Sequence, residues 1–153
     1  MCRTIAAILF LCFLSSTPIC RAFDIGDCGS KVGKFTSVSL GCDMTKPACE
    51  LIHNTNETIV LDFVVDKDVK KVTAVVHGIV MDVPVPFPLS NANACDTADS
   101  GLTCPLAKGG SFQYKNTLPI HKSYPKLSVT VKWELKDENN ENIVCVLIPA
   151  KIK

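Results

Sequence analysis

Beyond residue 22 the chain carries six cysteines, Cys28, Cys42, Cys49, Cys95, Cys104 and Cys145, and what they can do depends on the compartment. The N-terminus supplies that compartment. Arg3 gives a short basic start, and Ile5 to Leu14 form an apolar run. Cys20-Arg21-Ala22 then offers small residues at the two positions a signal peptidase reads. The sequence therefore predicts a secretory signal peptide over residues 1–22 and one domain over 23–153. A membrane anchor needs about 20 apolar residues, more than this run provides. Cys2, Cys12 and Cys20 leave with the signal, and the even number that remains reads as three disulfides in an oxidising compartment. Sequence separation favours one pairing among many. Cys42–Cys49 and Cys95–Cys104 each close a short loop containing turn formers, which leaves Cys28 and Cys145 to tie the ends of the domain together.

Without residues 1–22, 14 basic side chains face 15 acidic ones, a net charge of −1. No basic stripe remains to neutralise a phosphate backbone, so nucleic acid is not an expected partner. Paired CxxC-type spacings with nearby histidines are absent, so no metal site or other cofactor is expected. Nor is there a nucleophile elbow or a phosphate-binding loop, and the sequence reads as that of a non-enzyme.

The rest of the chain is written in short alternating runs. Leu127, Val129, Val131, Trp133 and Leu135 alternate with Ser128, Thr130, Lys132 and Glu134, which predicts a strand with one buried and one wet face. Ile59, Leu61, Phe63 and Val65 form a similar face, and Phe112, Tyr114 and Leu118 mark another. Val72 to Met81 is apolar on both faces, as expected of a fully covered strand, and His77 within it reads as a core histidine. Ile143 to Ile152 is comparable, with Pro149 placing its end at an edge or bulge. Asp137 to Asn142 is a polar turn, and Phe35 to Leu40 supplies a first strand. About seven strands at this spacing predict an all-β, immunoglobulin-like sandwich. Asn56-Glu57-Thr58 is an acceptor for N-glycosylation, which puts Asn56 at the surface.

Two segments break the pattern. In Val83-Pro84-Val85-Pro86-Phe87-Pro88-Leu89 every second residue is proline, so the segment must be an extended edge with its apolar residues on one side. It reads either as a rigid lip on an apolar cavity or a docking surface, or as a proline-protected edge packed on the core. Leu118-Pro119-Ile120-His121-Lys122-Ser123-Tyr124-Pro125 is a loop with two prolines around an isoleucine and a tyrosine. Tyr124 suits a pocket mouth or a corner that bonds to backbone.

Asp27-Cys28-Gly29-Ser30, the block at Val76–Leu89, the loop Leu118–Pro125 and the tail from Trp133 to Pro149 together resemble the Niemann–Pick type C2 sterol-transfer family of the ML lipid-recognition superfamily. The resemblance spans the mature chain in order, including all six cysteines. It implies a sandwich with an apolar tunnel between splayed sheets and the pairing Cys28–Cys145, Cys42–Cys49 and Cys95–Cys104. It implies Phe87 as a gate, Ile120 and Tyr124 opposite it, and Val76, Val85, Pro119, Trp133 and Val146 as tunnel wall. Met81 and Val83 match an exposed lip that meets a membrane or a sterol-accepting membrane protein. The expected ligand is cholesterol or a related sterol, carried by a monomer in the extracellular space or lysosomal lumen. The alternative is an extracellular carrier or sensor of fatty acids, semiochemicals or bacterial lipids; an interaction module with a filled core is a third reading. Asp82 replaces a usual glycine beside the lip and Ile120 a valine. Val146 stands where tryptophan is common, which implies a larger tunnel.

Overall fold

The computed structural model describes residues 24–153, so the expected signal peptide lies outside the described residues. Alternation of apolar and polar side chains turns these residues into strands, because successive side chains of an extended chain point to opposite faces. In chain order they are β1 (Gly26–Asp27), β2 (Gly33–Leu40), β3 (Cys49–Leu51), β4 (Asn56–Val65), β5 (Thr73–Val80), β6 (Val83–Phe87), β7 (Ser111–Pro119), β8 (Ser128–Lys136) and β9 (Asn142–Ile152). One sheet runs β1-β9-β8-β5-β6, with β3 parallel to β9, and the other runs β2-β4-β7. Facing each other, the two make an immunoglobulin-like sandwich. The seven expected strands are all present, and the two additional ones, β1 and β3, are short pieces on the outer flank of β9.

That flank accounts for Pro149. It lies neither at a strand end nor at a bulge, but inside β9, between the residues that pair with β1 (Val146 and Leu147) and those that pair with β3 (Ala150 to Ile152). The outer flank of β9 changes partner there, so a residue without an N–H fits. The prolines of β6 follow a similar logic. Met81 and Asp82 form a two-residue turn with φ of 49° and 66°, which makes Val80 and Val83 a hydrogen-bonded pair. Period two carries that pairing to Val85 and Phe87, so Pro84 and Pro86 turn their nitrogens to the free flank. The proline-rich segment is the edge strand its sequence demands.

Cross-strand register stacks the inner face of the larger sheet into rows. Phe87, Val76, Trp133 and Val146 form one row, and Val85, Gly78, Val131 and Ile148 form the next. Below the Trp133 row the sandwich is filled. Phe63 and Phe112 meet with centroids 6.0 Å apart, Tyr114 and Trp133 at 6.2 Å, and Val65, Val72, Leu135 and Val144 are fully buried around them.

The outer face of this sheet departs from expectation. On β5, Val75, His77 and Ile79 are half-buried, because among the described residues no further layer covers them. His77 is thus an outer-face residue rather than a core one, and its Nδ1 sits 3.9 Å from Glu134 Oε2. Glu134 is almost wholly buried on the face expected to be wet, with Lys132 Nζ at 3.2 Å and Lys136 Nζ at 3.5 Å. The β8–β9 turn is organised by one carboxylate. The backbone N–H groups of Asn139 and Glu141 each donate to Asp137 Oδ1 at 2.9 Å, and Lys67 Nζ lies 2.7 Å from Oδ2. Burial pushes the Asp137 carboxyl up, but Lys67 and these donors hold it below the usual carboxylate range.

All three expected disulfides form: Cys28–Cys145, Cys42–Cys49 and Cys95–Cys104. The first spans 117 residues of sequence, the others 7 and 9. In the loop-entropy account, opening the long one with a double Cys→Ser replacement costs on the order of 4–5 kcal/mol, about twice the cost of opening the Cys42–Cys49 loop. Urea unfolding of the two double mutants checks that ranking.

Candidate functional site

Above the Trp133 row the inner faces part, and side chains stop filling the space. A cavity of about 410 Å³ opens there. Its floor is the inner face of the larger sheet: Val76, Gly78 and Val80 from β5, Val85 and Phe87 from β6, and Val129 and Val131 from β8. Leu51 and Ile152 close one side, and Leu118, Ile120, Tyr124 and Leu127 cover it from β7 and the β7–β8 loop. A second cavity of about 60 Å³ adjoins it toward the smaller sheet, sharing Leu51, Leu118, Ile120 and Val131 and adding Leu40, Ile59 and Trp133. Among the described residues, no lysine, arginine, aspartate or glutamate lines the larger cavity. Such a wall offers dispersion and desolvation to an apolar guest, and little else.

Five of the eight wall and gate residues expected from the sequence meet at the larger cavity: Phe87, Ile120, Tyr124, Val76 and Val85. Trp133 lines the smaller one and forms the boundary with the packed half. Val146 lies directly across from Trp133, fully buried in the packed layer and outside both linings. Pro119 is exposed on the outer side of β7, because period two there sends Leu118 and Ile120 inward and the residue between them outward. Of the two residues expected at the lip, Met81 is 92% exposed and Val83 59%. Asn56 is exposed at the start of β4. Residues not singled out from the sequence include Gly78, Val129, Val131 and Leu118. Parity along β7 and β8 already assigned the last three to an inner face, while the glycine in the middle of β5 was the one signal of open space.

The mouth has two unlike sides. On one is the β5–β6 hairpin; on the other is the loop from Ile120 to Leu127. Phe87 and Tyr124 meet across it edge-to-face with centroids 5.8 Å apart, and His121 packs on the far side of Tyr124 at 5.3 Å. Burial pushes the Tyr124 phenol up. The loop is pinned at its ends, where Asn54 N donates to Ile120 O at 2.7 Å and Ile152 N to Leu127 O at 2.9 Å. Among the described residues, its interior is held to the rest of the protein by one hydrogen bond. His53 Nε2 lies 2.9 Å from the Tyr124 carbonyl, so Nε2 carries the proton and donates.

A family model described as ML domain matches residues 22–152. The chain belongs to the ML family. Within that family it is 51% identical over 133 residues to the NPC intracellular cholesterol transporter 2 homolog a of Drosophila melanogaster, an alignment covering 86% of this chain and 88% of the relative. It is 36% identical over 147 residues to the NPC intracellular cholesterol transporter 2 of Bos taurus, covering 96% and 95%. The crystal structure of a Niemann-Pick type C2 protein from Japanese carpenter ant superposes with a TM-score of 0.83 at 42% identity, covering 86% of this chain and all of that one. These similarities put the chain in the Niemann–Pick type C2 branch.

In this ML domain the boundary of the cavity carries polar groups turned away from it. Asn116 Nδ2 donates to the Tyr114 hydroxyl at 2.8 Å and reaches Asn91 Oδ1 at 3.2 Å. Burial raises the Tyr114 pKa to about 12, the Asn116 donor opposing the shift. A folded-state pKa above the unfolded value of about 10 gives stability that is complete below pH ~10 and lost as pH rises toward the folded value. Ultraviolet titration, with two tyrosines in the chain, is expected to show Tyr114 ionising near the alkaline end together with unfolding. For the mouth, His53→Ala is expected to speed hydrogen exchange of the Tyr124 amide, which donates to His121 O, by roughly fivefold, the worth of about 1 kcal/mol. His53→Gln, which keeps a donor, is expected to recover much of the protection.

Proposed function

We propose that the chain is a carrier that takes up cholesterol or a related sterol in the cavity and delivers it to a membrane or a membrane-bound acceptor. The observation that carries this reading is the apolar cavity of about 410 Å³ between the sheets, within the size range of small-molecule sites. Burial of about 400 Å² of ligand at ~25 cal/mol/Å² contributes roughly 10 kcal/mol before association costs. Phe87 and Tyr124 serve as the gate, with Ile120 behind them. Val76, Val85 and Trp133 form wall and floor, and Val146 flanks Trp133 in the same row of the sheet. Met81 and Val83 are the apolar contact with the receiving surface, and Asp82 beside them moderates it. The chain acts by binding and release, without a chemical step. It works as a monomer in the extracellular space or lysosomal lumen, with a glycan at Asn56 on the exposed start of β4.

The charge-free lining also supports a second reading, a carrier of fatty acids or other apolar molecules. Hydrophobic walls separate similar shapes by only about 10- to 200-fold per methylene group. Titration of a fluorescent sterol into wild type and Phe87→Ala tests the first reading. The variant is expected to keep its thermal unfolding midpoint within a few degrees, because Phe87 sits at a sheet edge. Its sterol affinity is expected to fall about 10- to 100-fold, the worth of one large apolar side chain. Binding and transfer equal to wild type would remove Phe87 from the gate.

A further inference from the structure

We infer that Gly78 is the residue that admits a rigid, flat ring system to this cavity, and so sets the preference for fused-ring lipids over flexible chains. The inference rests on the carrier reading above and names a determinant of its selectivity. Gly78 lies in the interior of β5, paired with Val85 on one flank and Val131 on the other, and all three line the cavity. Glycine in such a position weakens a strand, since it adds backbone freedom to the unfolded chain and no side chain to the sheet. Two common reasons for tolerating that cost are absent. The glycines with left-handed backbone are Gly29, Gly101 and Gly109, so the conformation at 78 is open to any residue. Nor does another backbone crowd it. A Cβ built there comes within 4 Å of one atom, Val129 Cγ2, at 3.2 Å, and Val129 is itself a cavity side chain able to give way.

What remains is the space itself. Along β5 the inward residues are Val76, Gly78 and Val80, so the glycine leaves a bare strip of backbone framed by valines at the centre of the wall. Leu118, Ile120 and Tyr124 bound the same cavity from β7 and the β7–β8 loop. A fused-ring body cannot bend around a methyl group placed on that strip, whereas an acyl chain rotates past it. Adding volume there therefore acts on the two ligand classes unequally.

The test compares wild type, Gly78→Ala and Gly78→Val by fluorescence titration with dehydroergosterol and by equilibrium binding of radiolabelled palmitic acid, a saturated and freely rotating chain, alongside thermal unfolding. Gly78→Val is expected to lose at least about 10-fold in sterol affinity while palmitic acid affinity stays within about threefold; Gly78→Ala is expected to fall between. Both variants are expected to unfold at or above the wild-type temperature, since β-branched and alanine side chains are favoured over glycine in a strand. Should valine impair folding, the alanine variant carries the comparison. Sterol affinity unchanged in Gly78→Val, or equal losses for both ligands in a folded variant, overturns the role of Gly78 and leaves the carrier reading standing. Wild type that takes palmitic acid and no sterol overturns both.

Discussion

The layer in which Tyr114 meets Trp133 is the constraint on which the architecture depends. Both rings are almost wholly buried, one from each sheet, with centroids 6.2 Å apart. On one side of them the sandwich is filled by Phe63, Phe112, Val65, Val72, Leu135 and Val144; on the other, the same two sheets enclose a cavity. A protein interior packed like a crystal is the ordinary state, and side chains around an unfilled space lose contacts there. The fold tolerates that loss because stabilisation is concentrated at the filled end and in three disulfides. Structure and cavity thus divide the length of the strands between them.

The polar groups respect this division. Asn116 turns inward from β7, yet its amide is spent on Tyr114 and Asn91, so it does not wet the cavity wall. Glu134 is buried on the opposite, outer face, where Lys132 and Lys136 oppose its charge. Burial pushes its carboxyl up, but these two lysines and Asn142 more than offset that and leave it ionised more readily than usual. An uncompensated charge turned the other way would sit in the cavity and be costly. The wall of the larger cavity can therefore be almost wholly apolar, and the acidic Glu57 borders only the smaller one.

Much of this was legible in the sequence, and the exceptions have identifiable causes. Alternation gave the seven longer strands because each buries one face. It did not give β1 and β3, whose two and three residues are too few to show a period and are fixed by what β9 offers at its flank. His77 was misread because Val75 and Ile79 beside it are apolar, though the sheet leaves that face half-covered. Pro119 shows how parity decides: a shift of one residue along β7 separates an exposed ring from Ile120 at the cavity. The cavity itself was not legible, since Val129 and Val131 would be written the same way whether they touched a side chain or a ligand. The family resemblance carried that point, and Gly78 was the local sign of it.

The two sides of the mouth differ in how they are built. The β5–β6 hairpin is a continuous ladder ending in a turn whose backbone angles leave little freedom. The opposing loop is fastened at Ile120 and Leu127 and held between them by the bond from His53. Such an entrance works like a latch with one fixed jaw. In the carrier proposed above, opening by the loop alone, a motion of nanoseconds to microseconds, would leave the sheets in place and Met81 and Val83 at the same spot. In that reading the surface offered to the receiver does not move for the receiver to be served.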